Sequence, residues 1–298
     1  MMQELNRAAQ RAFNCEKWDE GESYDVVIVG IPSDVGALSR HRSAASGIKL
    51  IRQASQIYKY SLTEEGHPVG WYDYDSGKAI LKGIKIADAG DFNIDRYQPE
   101  SSLAKLPDVL QKIKSSTNLL VVLGGDHSIS YWTTQCVKEP HRFVHIDAHE
   151  DATAALSRLP HSGNFIRYIE SFPQVKQIIQ YGLRGLVPNL RKDPLAHRTI
   201  CTNHDQYLKK LNETRQLPAF VSIDVDVVSP SILRAVSSPS PGGMTSRQLI
   251  NAIYDIKKCD GEIDVLELTE FAIEAGEDPL SGMFVADLLL RLISVCVA

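Results

Sequence analysis

Short runs of apolar, β-branched residues recur along the chain at 24–31, 119–123, 143–146, 175–181, 219–223 and 263–266. Between them, segments 43–59, 107–115, 129–138, 203–214, 245–257 and 279–295 read as helices, several with apolar residues at helical spacing. Apolar strands alternating with helices predict a mostly parallel sheet covered on both faces, a three-layer α/β fold. Segment 66–92, with a turn at Gly77 and aromatic and β-branched flanks, reads as an antiparallel hairpin. No repeat, low-complexity tract or linker divides the chain, so 1–298 reads as a single domain with 1–20 as a loosely tied N-terminal tail.

With 298 residues, 43% hydrophobic and 23% charged, the chain can bury a large core. A formal net charge of −5 gives no concentrated basic surface, which argues against nucleic acid or an anionic membrane as partner. The five cysteines (Cys15, Cys136, Cys201, Cys259 and Cys296) are scattered, with no C-x-x-C. That excludes a disulfide framework or zinc cluster and sets a reducing cytoplasm as the expected compartment. The N-terminus is polar and there is no apolar run of about 18 residues, so a soluble, non-secreted protein is expected.

Candidate chemistry sits where an α/β sheet gathers ligand groups, just beyond the C-terminal ends of strands. After 119–123 comes Gly124-Gly125-Asp126-His127-Ser128; after 143–146 comes Asp147-Ala148-His149-Glu150-Asp151. After 219–223 comes Asp224-Val225-Asp226, and after 263–266 comes Glu267. In extended backbone, residues two apart point the same way, so Asp147, His149 and Asp151 face one point and Asp224 and Asp226 repeat the device. One such fragment alone is ordinarily a solvated turn. So many buried carboxylates together repel one another unless cations neutralise them. Oxygen-rich ligation with one imidazole per ion favours Mn²⁺ over Zn²⁺ or Cu²⁺, and two ions about 3.5–4 Å apart can share and acidify a water. Gly124-Gly125 lacks both G-x-G-x-x-G and a P-loop lysine, which excludes a nucleotide loop.

Taken together, GGDHS at 124–128, DAHED at 147–151, SIDVDVVSP at 222–230 and DVLELTEF at 264–271 resemble the arginase/agmatinase/formiminoglutamase family of ureohydrolases. YGLRG at 181–185 and SSPSPGGMT at 237–245 resemble its structural segments in the same order. The resemblance implies a three-layer α/β/α fold around an eight-stranded, mostly parallel sheet, a homo-oligomer (trimer or hexamer), and two Mn²⁺ per chain. The implied reaction is hydrolysis of a guanidino group to an amine and urea. It further implies that His127, Asp147, Asp151 and Asp224 hold one ion, and His149, Asp147, Asp224 and Asp226 the other, with Asp147 and Asp224 as bridges. Asp151 also orients the attacking water, Asp126 stands behind the ligands, and Glu267 faces the guanidinium as a planar, bidentate partner. For the proton donated to the leaving amine, the agmatinase-like alignment points to His161 and the arginase-like one to Ile166; His161 is the only histidine of its loop and its chemistry fits. His141, His145, His197 and His204 read as structural or exposed.

Where arginases grip the α-carboxylate and α-amino groups of free arginine, this chain has Thr153, Val187 and Leu190. An apolar side chain cannot compensate a buried ammonium, so the expected substrate lacks the zwitterionic head: agmatine, a guanidino acid, or arginine within a peptide, converted there to ornithine. Glu150 and Glu270 stand where the family more often has neutral residues or proline; they bias the pocket toward a cation or face solvent. The rivals are a formiminoglutamate hydrolase releasing formamide and a catalytically inactive structural or regulatory homologue.

Overall fold

The apolar runs become strands of one sheet in the computed structural model, which describes residues 4–6, 8, 10–39, 43–153, 157–186, 196–259, 261–274 and 279–298. In chain order the strands are β1 (Leu5–Asn6), β2 (Glu16–Lys17), β3 (Tyr24–Ile31), β4 (Trp71–Asp73), β5 (Lys78–Ile80), β6 (Ile86–Phe92), β7 (Thr117–Gly124), β8 (His141–Ile146), β9 (Val175–Tyr181), β10 (Arg198–Cys201), β11 (Ala219–Asp224) and β12 (Ile263–Thr269). The helices are α1 (Ala44–Ala54), α2 (Pro99–Leu103), α3 (Leu106–Lys114), α4 (Ser130–Thr133), α5 (Phe165–Ile169), α6 (His204–Glu213), α7 (Ser246–Lys258) and α8 (Pro279–Cys296).

Strands β6-β3-β7-β12-β11-β8-β9-β10 lie side by side in that order, all parallel, as the α/β pattern requires. Strand parity sorts the core: Val26 and Ile28 pack in one apolar cluster and Val27, Val29 and Ile31 in another. Helices therefore cover both faces, and the strands' C-terminal ends form one rim. Helix starts follow capping chemistry: Ser43, Asn203 and Thr245 accept N–H bonds from Ser46, Gln206 and Gln248, and Thr245 with Gln248 completes a capping box. Helix α8 is long and apolar enough to cross a membrane, yet half of it is buried against the protein, packed on α1 and α7. Its Arg291 bonds Asp287 and reaches Asp73 of β4 at 2.6 Å.

Three expectations need correction. The hairpin is only β4–β5, antiparallel around Gly77 at φ 67°; residues 86–92 are instead a parallel strand of the main sheet. The polar Asp88 and Asp91 disguised that strand, because buried Arg52 pairs with both. The short strand β10 was not anticipated at all. Nor is the N-terminal segment loose where it is described. Ala12 and Phe13 are fully buried, with N–H bonds of 2.7 Å to Asp88 Oδ2 and 2.8 Å to Ser55 Oγ, and β1 and β2 add to the edge at β6.

Candidate metal centre

One local device is repeated at three strand ends. The carboxylate of Asp126 accepts the Ser128 N–H at 2.9 Å, that of Asp147 the His149 N–H at 2.5 Å, and that of Asp224 the Asp226 N–H at 2.8 Å. Aspartate readily bonds the backbone two residues on, which turns the chain as it leaves the strand. This corrects the basis on which Asp147, His149 and Asp151 were expected to converge. Strand β8 ends at Ile146, the triplet lies on a bend, and Asp151 takes the left-handed φ of 47° that aspartate tolerates. Turns, and not strand alternation, aim the side chains.

All six anticipated ligands are brought together. His127 Nδ1 lies 3.1 Å from Asp147 Oδ2, 3.4 Å from Asp151 Oδ2 and 3.5 Å from Asp224 Oδ2. His149 Nδ1 lies 2.9 Å from Asp226 Oδ2 and 3.6 Å from Asp147 Oδ1. Two overlapping groups with metal-holding spacing share Asp147: His127, His145, Asp147 and Asp151 form one, and Asp147, His149 and Asp226 the other, while Asp224 flanks the first through His127. In the buried cluster, Asp151, Asp224 and Asp226 are pushed above the usual carboxylate range, first by burial and next by neighbouring aspartate charges. Burial opposes a charge on His127, but the carboxylates around it prevail and raise it; hydrogen bonds to Asp147 and Asp226 raise His149 to about 11. His127 Nδ1 and Asp147 Oδ2 are buried without an aligned hydrogen bond. Orphaned donor atoms, crowded carboxylates and oxygen-rich chemistry are what a pair of hard divalent cations would satisfy, so the residues fit the group.

Behind His127 runs a chain of hydrogen bonds. Its Nε2 lies 2.8 Å from Ser222 Oγ, which donates to Glu267 Oε1 at 2.8 Å. Because a carboxylate only accepts, Ser222 must spend its proton on Glu267 and accept from Nε2–H, so the proton that His127 sheds to ligate a metal is the one on Nδ1, whose lone pair then faces the carboxylates. Glu267 is thus placed otherwise than the resemblance implies. It is fully buried, both oxygens are taken by the hydroxyls of Ser130, Thr133 and Ser222, and it supports His127 instead of facing a substrate. Asp126 props the same loop, accepting also from Gly36 N–H at 3.2 Å, and burial raises it to about 6.

His145 is a second correction: it belongs to the centre. It is fully buried, with Nε2 2.9 Å from Asp147 Oδ2, while Gln180 donates to its Nδ1 at 2.8 Å. Burial holds it neutral, and because Nδ1 accepts from Gln180 the ring's single proton sits on Nε2, close to Asp147 Oδ2 but without an aligned hydrogen bond. The missed signal was parity, His145 standing two residues before Asp147. His141 is buried away from the centre; His197 and His204 are exposed.

His161 lines an open cleft of about 340 Å³ with Gly36, Ser128 and Trp132. Its Nδ1 accepts the Gly163 N–H at 3.2 Å, leaving Nε2 to carry the proton, and burial lowers its pKa. Ile166, the other aligned position, is fully buried in the core. Thr153 is committed to the Gly163 carbonyl at 2.9 Å, and Val187 and Leu190 lie outside the described residues. Glu150 pairs with Arg198 at 2.7 Å; Glu270, with φ 62°, is buried, accepts the His127 N–H at 2.8 Å and is raised to about 7 by burial and by Asp126.

Comparison with known proteins agrees with this geometry. The sequence profile described as the arginase family matches residues 24–294. The chain is 28% identical over 259 residues to "Guanidino acid hydrolase, mitochondrial" of Homo sapiens, covering 80% of this chain and 69% of that protein. It is 28% identical over 295 residues to "Agmatinase, mitochondrial" of Gallus gallus, covering 92% and 82%. Among solved structures, proclavaminate amidino hydrolase from Streptomyces clavuligerus superposes with a TM-score of 0.77 at 23% identity over 98% of this chain and 99% of that one, a likeness of fold.

Proposed function

The chain belongs to the arginase family, and from that premise we propose that it is a two-manganese hydrolase of a guanidino compound other than free arginine, releasing urea and an amine. The observation that carries this reading is the convergence of Asp147, Asp151, Asp224 and Asp226 on the inward-facing nitrogens of His127 and His149. Relatives named for agmatine and for guanidino acids support the substrate class, and both compounds lack the free amino-acid head.

The ions, held by these six residues, would supply Lewis acidity that makes a water nucleophilic at neutral pH. The chain's own part is positional. Asp151, fixed by its left-handed backbone, accepts a hydrogen bond from the attacking water and orients it toward the guanidinium carbon. His161, with its proton on Nε2 in the cleft, protonates the departing amine. Thr153, already committed to Gly163, leaves no polar anchor there for an α-carboxylate, which supports a substrate without one.

The deciding experiment is urea release over agmatine, guanidinobutyrate, arginine, arginyl peptides and formiminoglutamate, with and without added Mn²⁺. Manganese-dependent urea from a compound without the α-amino acid head is expected. Formamide from formiminoglutamate alone, or urea that needs no metal, overturns the reading. Five free, buried cysteines support a reducing compartment, and we propose the cytoplasm, to be checked by fractionation, and a homo-oligomer, to be checked by sedimentation.

A further inference from the structure

We propose that Arg184 is a positioning residue that builds one half of the metal centre, the half formed by His149 and Asp226, and leaves the His127 half to other supports. The inference rests on the two-ion reading above. Its basis is where the Arg184 guanidinium spends its donors. It reaches Asp226 O at 2.6 Å, Val227 O at 3.1 Å, Ser240 O at 3.1 Å and Pro241 O at 3.2 Å. Its backbone N–H adds Ala148 O at 3.0 Å, between Asp147 and His149. The side chain thus fastens the loop after β11 to the segment 237–245, and the backbone N–H of the same residue ties in the loop after β8.

Each fastened point leads to a ligand of the same ion. Asp226 is gripped through its own carbonyl. Ser240, gripped through its carbonyl, has its hydroxyl 3.2 Å from His149 Nε2, so it steers the ring whose Nδ1 faces Asp226 at 2.9 Å. The approach is close because Gly182, at φ 102°, has no Cβ; one there would meet Asp147 O at 2.9 Å. The opposite half is held by different groups: Ser222 and Glu267 behind His127 Nε2, and Glu270 on the His127 N–H. A planar fork with five donors can bind several carbonyls in fixed directions, which a single ammonium cannot. Among the described residues, the hydrogen bonds of Arg184 end on carbonyl oxygens and none on a ligand carboxylate, so its action is to aim the ligands without competing for their oxygens.

The test is to strip metal from wild type and Arg184→Lys and titrate Mn²⁺, counting bound ions and recording electron paramagnetic resonance spectra. Wild type is expected to bind two ions with the spectrum of a spin-coupled pair. Arg184→Lys is expected to keep one ion near wild-type affinity, lose at least about tenfold on the other, and show an uncoupled six-line spectrum. Arg184→Gln, planar but with fewer donors, and Ser240→Ala, which frees only the His149 ring, should shift the same ion. Two ions bound at wild-type affinity in the Arg184 variants overturn the clamp, as does equal weakening of both ions in a variant with wild-type melting. Wild type that never binds a coupled pair overturns the metal reading itself, and the clamp with it.

Discussion

Replacing Glu267 by Gln separates two roles that the sequence and the geometry assign differently. Glu267→Gln keeps the shape but puts a donor among the hydroxyls of Ser130, Thr133 and Ser222, which now all donate to the carboxylate. Ser222 is then free to turn its proton toward His127 Nε2, moving the ring proton to Nδ1, the atom that faces the carboxylates. Loss of the group that orients a ligating histidine typically weakens metal binding about 10–100-fold, or about 1.4–2.8 kcal/mol at 1.4 kcal/mol per decade. Global stability should move little. Each charge-assisted bond lost is worth about 1.5–3 kcal/mol, while removing a buried carboxylate returns several kcal/mol of desolvation. The assay is a manganese titration by calorimetry beside steady-state urea production at rising Mn²⁺. Weaker manganese binding, with kcat restored by excess metal, is expected. Unchanged manganese affinity with a raised KM that no excess metal repairs would refute the reasoning and return Glu267 to the substrate.

Three further outcomes are expected. His161→Asn should lower kcat by about 10²–10⁴-fold with manganese content unchanged, because the ring lines the cleft and ligates nothing; a fall in bound metal would contradict its role. Manganese uptake should release protons and tighten as pH rises, since His149, held near 11, and His127, also raised, must lose protons before their Nδ1 atoms can ligate. Calorimetry in buffers of different ionisation enthalpy measures that release, and none would count against the site. Phe13→Ala should cost about 3–5 kcal/mol in urea unfolding, because the ring is fully buried and packs edge-on to Trp71 with centroids 6.4 Å apart; a cost within about 0.5 kcal/mol, usual for surface sites, would restore the picture of a loose tail.

The rim of acids and histidines was legible because a parallel sheet delivers strand ends to one place and the chain marks three of them with Asp or His; Glu267, read as a fourth, lies inside β12. What could not be read was how the side chains are aimed. Extended-strand alternation led to Asp147, His149 and Asp151, but the structure reaches the same convergence through aspartate-capped turns and a left-handed Asp151. His145 was passed over because a lone strand histidine reads as core, although parity put it beside Asp147. Strand β6 was hidden by Asp88 and Asp91, whose meaning depends on Arg52 far off in sequence. Glu267 was recognised by its place in a motif, whereas its orientation depends on hydroxyls from three other positions. For β6 and Glu267 the contact that settles the role is nonlocal, and pattern along the chain carries no record of it.

The rim joins His127 beyond β7, Asp147 to Asp151 beyond β8, and Asp224 with Asp226 at the end of β11, and in the sheet these ends span the four neighbours β7-β12-β11-β8. Ions seated there would act as rivets through the middle of the sheet, binding the folded chain and finding no such array in the unfolded one. At a hundredfold excess over its dissociation constant, each ion adds about 2.7 kcal/mol by mass action. The supply of free manganese in the cell would then govern how long each molecule survives as well as how fast it works, and starvation for the metal would thin the population through turnover before any inhibitor of the chemistry was needed.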